Sequence, residues 1–259
     1  MLVYRGVVDS LRRVAHAAFE CFGLEVHRRT GDPLRFLAAH HIKTVLDIGA
    51  NQGQFAQRAR RLFPDAMIYS FEPIPRIFRE LVKLRSRDSR FETINCALGE
   101  RSGEIDFEEN EFSGSSSVLP LTEKALQAFP FTSKTKKIRV AVQRLDDWAE
   151  TRKLDAPMLV KLDVQGFEDR VIAGGIRTIK DSAVVISEVT FSPMYEGQVL
   201  FDRIYRDLTG SGFRLAGIIE NTCDSITGKI WQGDAIFCTA DLESELTGAL
   251  RFGVVNEVT

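Results

Sequence analysis

The sequence is poor in the residues that mark secreted, membrane-spanning or nucleic-acid-binding proteins. It has four cysteines and four histidines in 259 residues, and its 34 Lys and Arg residues against 36 Asp and Glu residues leave a formal net charge of −2. No apolar run approaches the roughly 20 residues of a membrane-spanning helix, and the N-terminus lacks a secretory signal. We therefore expect a cytoplasmic protein with no transmembrane segment and no nucleic-acid partner.

The few cysteines also exclude a disulfide framework and a zinc knuckle. They are far apart in the sequence, and three of them lie in or beside apolar runs typical of a core. Free buried cysteine behaves as a small apolar residue. We expect all four to be reduced and buried: Cys21, Cys96, Cys223 and Cys238.

From residue 43 onward, apolar strand-like runs alternate with stretches of helical periodicity. This alternation predicts an α/β fold with a mostly parallel seven-stranded sheet and helices on both faces. The predicted strands cover residues 43–48, 66–72, 91–96, 158–164, 182–189, 213–220 and 233–239. The predicted helices cover residues 53–63, 74–86, 167–175 and 198–211.

Two regions depart from the alternation. Residues 99–148 predict an antiparallel insertion or an irregular sheet extension, flanked by a long serine-containing loop. Residues 1–40 predict two amphipathic helices, the second capped by Asp32 with Pro33 in its first turn. We expect this N-terminal segment to be a helical lid or cap. A homo-oligomer contact and peripheral contact with a membrane surface stay open, because five arginines make this end basic: Arg5, Arg12, Arg13, Arg28 and Arg29.

The segment LDIGANQGQF, residues 46–55, has the composition of a ligand-binding loop between a strand and a helix. Gly49 and Gly53 allow positive φ and close approach of the backbone to a ligand. Glu72 ends the next predicted strand 23 residues after Gly49, where an acid that binds ribose hydroxyls is expected. Because ligands of open parallel sheets lie beyond the carboxyl ends of the strands, these residues predict a ribose-bearing cofactor.

The spacing of the loop distinguishes between cofactors. A dinucleotide loop would read G-x-G-x-x-G, whereas Asn51 stands where the second glycine is expected; a P-loop is excluded because no Gly-Lys-Ser/Thr follows. An acid before the glycines, Asp47, suits a cationic ligand better than a phosphate. S-adenosylmethionine, with a sulfonium and an amino group, is therefore the expected cofactor, and NAD is the competing one.

The chain resembles the FkbM family of S-adenosylmethionine-dependent methyltransferases. The resemblance rests on LDIGANQGQF, FEP, NCALG, SGSSS, KLDVQGFE, SEV and QGDAIF, which occur in the order of the family and span nearly the whole chain after residue 43. It implies a class I methyltransferase (Rossmann-like) domain over residues 41–259 and methyl transfer to a hydroxyl, often on a sugar of a glycolipid, polysaccharide or macrocyclic natural product. Residues 1–40 are not covered.

The resemblance also implies roles for individual residues at the cofactor. The glycine loop would hold the methionine part, Glu72 the ribose, and the residues after the third strand the adenine, although plain core packing stays open for Ala97 and Leu98. The expected cofactor-binding residues are Asp47, Gly49, Ala50, Asn51, Gly53, Phe55, Glu72, Pro73, Ala97, Leu98 and Asp163.

The catalytic residues are expected at the ends of the fourth and fifth predicted strands. All four histidines precede the cofactor loop, so the base is expected among acids unless a lid supplies a histidine: His16, His27, His40 and His41. The catalytic candidates are Asp163, Glu188, Lys161 and Glu168. Asp163 and Glu188 could provide a metal-free base, bind a divalent metal that activates the acceptor, or form a structural ion pair with Lys161.

Other functions stay open at this stage. The fourth strand lacks the Asn/Asp-Pro-Pro-Tyr/Phe motif of enzymes that methylate amino groups on nucleic acids or proteins, and the serine-rich loop 113–117 suits a polar acceptor or a solvated mobile loop. A small-molecule or glycan acceptor is expected. The alternatives are a non-sugar small molecule, a protein acceptor, or a catalytically silent S-adenosylmethionine-binding interaction module.

Overall fold

The computed structural model of the protein describes residues 32–223, 227–242 and 244. A short 3-10 helix, Arg35–His40, precedes the first strand. Of the two helices predicted over residues 1–40, the first lies outside the described residues, whereas the second, predicted to begin at Asp32, is present as this short 3-10 helix. The domain division at residue 40 stays a prediction.

The main sheet has seven strands: β1 Thr44–Ile48, β2 Met67–Phe71, β3 Phe91–Ile94, β7 Met158–Leu162, β8 Val184–Thr190, β9 Phe213–Cys223 and β10 Ile230–Thr239. Their order in the sheet is β3-β2-β1-β7-β8-β10-β9. Every neighbouring pair is parallel except the two pairs made by β10, which is antiparallel to both β8 and β9. The predicted seven-stranded, mostly parallel sheet is confirmed, and the strand order is that of a class I methyltransferase (Rossmann-like) fold.

Four helices connect the strands of this sheet. They are α1 Gln54–Leu62, α2 Pro75–Arg85, α5 Glu168–Lys180 and α6 Phe201–Thr209. The chain moves from β1 outward to β3 in one direction and from β7 to β8 in the other. Because crossovers between parallel strands are right-handed, α1 and α2 lie on one face of the sheet and α5 lies on the opposite face. The order reverses between β1 and β7, which is where such sheets bind ligands.

The insertion forms a second, three-stranded sheet in the order β4-β6-β5, where β4 is Ala97–Leu98, β5 is Gly103–Asn110 and β6 is Thr135–Gln143. β5 and β6 are antiparallel, as predicted for this region. Between them lie the 3-10 turns Ser113–Ser115 and Pro130–Thr132 and the helix α3, Glu123–Ala128; the helix α4, Leu145–Glu150, leads back to the main sheet. Sequence periodicity did not predict α3 and α4, which have only six residues each.

The predicted helix 167–175 was too short. The structure continues α5 to Lys180, with one non-helical residue at Gly175. The buried Asp146 explains the continuation, because its carboxylate accepts hydrogen bonds from both the backbone N–H and the hydroxyl of Thr178, each at 2.9 Å. This tertiary contact restarts the helix after the glycine pair that would otherwise end it.

The buried-cysteine prediction is confirmed for Cys96 and Cys238 and wrong for Cys223, which is exposed at the end of an edge strand. Cys21 lies outside the described residues. No helix in the described part of the chain is long and apolar enough to cross a membrane.

Candidate active site

A cleft of about 680 Å³, part of it open to solvent, lies at the carboxyl ends of β1, β2 and β7. Its wall combines the glycine loop, Glu72 and the residues after β7 with an apolar side formed by Cys96, Ala97 and Leu98. The second sheet closes the cleft through the serine-rich segment, which contributes Ser113, Gly114 and Ser116. The cleft therefore lies where the strand order reverses.

The loop after β1 has left-handed backbone at Gly49 and Gly53, each with φ of 81°, and at Asn51, with φ of 48°. A Cβ atom on Gly49 would lie 1.8 Å from the backbone oxygen of Asp163. Glycine is therefore required at position 49 both by its φ and by the close approach of the ends of β1 and β7.

Glu72 lies at the end of β2 and is 4% exposed. Its Oε2 accepts a hydrogen bond from the Asn51 N–H at 2.9 Å, and its Oε1 accepts one from the Ile74 N–H at 2.8 Å. Burial raises the pKa of Glu72 to about 7, although the two backbone donors oppose the rise. Each carboxylate oxygen keeps a lone pair for a ligand hydroxyl.

Asp47 is 1% exposed at the end of β1. Its Oδ2 accepts a hydrogen bond from the Ser70 hydroxyl at 3.0 Å, whereas its Oδ1 is buried with no partner among the described residues. Burial raises the pKa of Asp47 to about 6, and the Lys161 ammonium partly offsets this effect. An unpartnered buried acceptor beside a cleft is unusual and suits a ligand that donates a hydrogen bond or carries positive charge.

The other residues predicted to bind a cofactor lie in three different surroundings. Pro73, Ala97 and Leu98 line the cleft. Ala50 and Phe55 instead line a neighbouring cavity that also contacts Asp47, Lys161 and Asp163. Gly53 faces the side chains of Leu81 and Leu84, so it lines neither cavity.

Polar side chains from three adjacent strands meet beside the cleft. The Lys161 ammonium lies 2.6 Å from Asp163 Oδ2. The Gln165 amide nitrogen donates to Asp163 Oδ1 at 2.8 Å and to Glu188 Oε2 at 2.9 Å. Gln232, near the start of β10, donates to Glu188 Oε1 at 2.8 Å. The structure thus brings together Lys161, Asp163 and Glu188, three of the four predicted catalytic residues.

The two carboxylates at this centre differ in acidity. Burial alone would raise the pKa of Asp163, but the Lys161 ammonium and its hydrogen bond hold that pKa below the ordinary value. Burial, together with the charges of Asp163 and Glu168, raises the pKa of Glu188 well above its ordinary value. Burial opposes the charge of Lys161, yet the surrounding aspartates raise its pKa. Asp163 is therefore the stable anion of the pair, and Glu188 is the stronger base.

Glu168, the fourth catalytic candidate, is 3% exposed and accepts hydrogen bonds from the backbone N–H groups of Val164 and Gly166. Its carboxylate therefore holds the turn between β7 and α5. His40 and His41 precede β1, at the opposite end of that strand from the cleft and about 16 Å away from it along the strand. His16 and His27 lie outside the described residues.

No three His, Cys, Asp or Glu side chains converge as a metal site would require within residues 32–223, 227–242 and 244. The nitrogen of Gln165 lies where a cation bridging Asp163 and Glu188 would be expected, since it donates to both. The Gln165 amide thus occupies the bridging position between the two carboxylates.

Sequence reasoning missed three polar residues that complete the centre: Gln165 as a bridge, Gln232 as a donor to Glu188, and Tyr195, whose hydroxyl donates to Gln165 Oε1 at 2.8 Å. Gln232 could have been found only from the direction of β10, because the start of an antiparallel strand returns to the carboxyl edge of the sheet. A strand pattern alone does not show that edge.

Comparison with known proteins relates this chain to methyltransferases. A sequence model of the methyltransferase FkbM domain matches residues 47–215. The 2-O-methyltransferase NoeI of Sinorhizobium fredii is 32% identical over 161 residues, which are 60% of this chain and 66% of that protein.

Two solved structures are also similar. The methyltransferase FkbM of Methylobacillus flagellatus is 16% identical with a TM-score of 0.49, covering 76% of this chain and 44% of that one. Fibrillarin of Aeropyrum pernix, in complex with S-adenosyl-L-methionine, is 12% identical with a TM-score of 0.42, covering 75% of this chain and 66% of that one. Each of these three matches covers less than two thirds of the relative's own length.

The FkbM domain match extends over more than half of the chain and includes the glycine loop, Glu72, Asp163 and Glu188. The resemblance noted in the sequence is thereby confirmed: the chain belongs to the FkbM methyltransferase family.

Proposed function

We propose that this protein transfers a methyl group from S-adenosylmethionine to a hydroxyl, on a sugar of a glycolipid, polysaccharide or glycosylated natural product. The observation that carries the proposal is the position of Glu188: a half-buried carboxylate of raised pKa that the Gln165 amide connects to Asp163, an ionised aspartate in the wall of the cleft. When bound, S-adenosylmethionine supplies an electrophilic methyl group on a positively charged sulfur.

The cleft has the groups that this cofactor needs. Glu72 offers a free lone pair on each oxygen to the ribose hydroxyls, and Cys96, Ala97 and Leu98 provide an apolar wall for adenine. Asp47, in the wall of the neighbouring cavity that shares Asp163 with the cleft, offers its unpartnered Oδ1 to the positively charged methionine end. Asp163, anionic through its contact with Lys161, complements positive charge at the same end of the cleft.

The residues at the strand ends support proton removal from an oxygen acceptor. Glu188 accepts the proton of the acceptor hydroxyl as that oxygen attacks, because its raised pKa makes it a better base than Asp163. Lys161 keeps its proton and so holds Asp163 rather than acting as a base. Glu168 is assigned a structural role in the β7–α5 turn, because its carboxylate accepts backbone hydrogen bonds.

The choice of an oxygen acceptor is supported by the name of the relative, a 2-O-methyltransferase. A sugar as the carrier of that hydroxyl is proposed from the family resemblance. The hydroxyl-rich segment Ser113–Ser117 reaches the cleft from the second sheet, where it suits a polyhydroxylated acceptor.

Two measurements test the proposal. Thermal unfolding with S-adenosylhomocysteine or NAD tests the cofactor: S-adenosylhomocysteine is expected to raise Tm, and stabilisation by NAD alone would refute the assignment. Methyl-labelled S-adenosylmethionine, incubated with host extracts and the protein, tests the acceptor; the label is expected on a glycan hydroxyl.

The matched control for the second measurement is Glu188→Gln, which keeps the shape of the side chain. We expect this variant to retain S-adenosylhomocysteine binding and to lose labelling. A variant that labels the same product at the wild-type rate would remove Glu188 from the mechanism.

A further inference from the structure

Gln165 has an unusual backbone and a fully hydrogen-bonded side chain. It lies just after β7 with φ of 56°, a conformation that is uncommon for a residue other than glycine. Its backbone oxygen accepts a hydrogen bond from the Ser117 hydroxyl at 2.6 Å, and its Oε1 accepts one from the Tyr195 hydroxyl at 2.8 Å. Contacts from two distant segments thus stabilise a strained residue next to the reaction centre.

These contacts also define the orientation of the Gln165 amide. With Oε1 towards Tyr195, the two hydrogens of Nε2 point to Asp163 Oδ1 and Glu188 Oε2. The reversed amide would direct its oxygen at two carboxylates, which is electrostatically unfavourable. The nitrogen is therefore the donor shared by Asp163 and Glu188.

We propose that Gln165 is a positioning residue for methyl transfer, whose amide nitrogen bridges Asp163 and Glu188 in the place that a cation would otherwise take. The bridge fixes the orientation of the Glu188 carboxylate and favours its ionised form, ready to accept a proton. This inference rests on the proposed function, which makes Glu188 the base.

Several charged and titratable groups face Glu188, and Gln165 and Gln232 are the two amides that hydrogen-bond its carboxylate in the part of the chain that the structure describes. The facing groups are Lys161 and Asp163 beside β7, Glu168 on α5, Asp234 on β10 and Tyr195 after β8. Without the Gln165 amide, no donor would lie between the carboxylates of Asp163 and Glu188, so the ionised form of Glu188 would become less favourable.

The test is a pH titration of Glu188 in the whole chain, monitored by ¹³C NMR of Cδ-labelled glutamate. The Glu188 signal is assigned by its absence in Glu188→Gln. We expect Gln165→Leu to raise the titration midpoint of Glu188 by about one pH unit. Gln127→Leu, the same change at an exposed position on α3, is expected to leave the midpoint unchanged. An equal midpoint in wild type and Gln165→Leu overturns the proposal.

A second variant keeps the test decisive if Gln165→Leu does not fold. Gln165→Glu has the same shape but places a third carboxylate beside Asp163 and Glu188. We expect Mn²⁺ to broaden the Glu188 signal in this variant and not in wild type or Gln127→Glu. Broadening of the Glu188 signal in wild type would overturn the proposal, because a cation and the amide cannot occupy the same bridge.

These readouts do not depend on methylation. If the wild type labels no glycan yet the midpoint of Glu188 shifts in Gln165→Leu, the proposed function fails while the bridging role of Gln165 stands. If labelling is found and the midpoint does not shift, the inference about Gln165 fails alone.

Discussion

Lys161 and Asp163 form an ion pair of 2.6 Å in which the lysine side chain is 8% exposed and the aspartate 31%. Burial would lower the pKa of Lys161, but the charges of Asp163, Asp234 and Asp47 raise it. One buried cation thus compensates acids on three strands, β1, β7 and β10. The stability of the site depends on that cation.

We expect Lys161→Met to lower the free energy of unfolding by about 3 kcal/mol at neutral pH, because it leaves buried carboxylates without a counter-charge. Urea unfolding measures the loss. Lys137→Met is the control, since Lys137 is 78% exposed and lies 3.5 Å from Glu108; a change within about 0.5 kcal/mol is expected there. Equal losses in both variants would contradict the role of Lys161.

Binding of S-adenosylmethionine should depend on pH through Asp47. The pKa of this buried acid is raised to about 6, so it is charged above that pH and neutral below it. At one unit below the pKa only about a tenth of the molecules carry the charge, so Kd is expected to rise about tenfold between pH 7.5 and pH 5. Isothermal titration calorimetry measures this change.

The control is Asp47→Asn, which cannot ionise. We expect it to bind more weakly at pH 7.5 and to lose most of the pH dependence. If the variant shows the same tenfold change in Kd as wild type, the pH dependence is due to another group, such as Glu72 with a pKa of about 7.

The hydrogen bond from the Ser113 hydroxyl to Asn51 Oδ1, 3.0 Å long, connects the serine-rich segment to the cofactor loop. Ser113→Ala removes it, at an expected cost of roughly 1 kcal/mol, or about fivefold in the Kd for S-adenosylhomocysteine. Ser133→Ala, an exposed serine of the same insertion, is expected to bind as wild type. Identical Kd values for Ser113→Ala and wild type would mean that the segment does not restrain the loop.

Gly174 marks the contact of α5 with the second sheet. A Cβ atom there would lie 1.9 Å from the backbone oxygen of Gly99. We expect Gly174→Ala to lower the free energy of unfolding by roughly 3 kcal/mol, since backbone has to move. Gly217→Ala is the matched control, because nothing lies within 4 Å of its Cβ position. Similar stability of the two variants in urea would refute the steric argument.

Residues whose roles follow from their own strand were predictable from sequence. Gly49 and Glu72 end consecutive strands, and parallel strands bring such ends to one edge, so their common cleft followed from periodicity and turn chemistry alone. The same reasoning brought Asp163 and Glu188 together, because β7 and β8 are adjacent and parallel.

Residues whose roles depend on contacts between distant segments were not predictable. Gln165 receives its hydrogen bonds from Ser117 and Tyr195, and nothing in the spacing of these residues indicates that they meet. The position of Glu168 just after β7 suggested a catalytic role, yet its carboxylate accepts hydrogen bonds from backbone N–H groups. The continuation of α5 past Gly175 likewise depends on Asp146, from a separate helix.

The antiparallel strand β10 also has a consequence for the order in which the site is built. The strand runs back between β8 and β9, so its first residues, Gln232 and Asp234, join a reaction centre otherwise drawn from the middle of the chain. During synthesis, a nascent chain that ends before residue 230 would already contain the cofactor loop, Asp163 and Glu188 but not the donor to Glu188 Oε1. The finished reaction centre is thus a late product of translation, because the chain has to be extended by 44 residues beyond Glu188 before Gln232 exists.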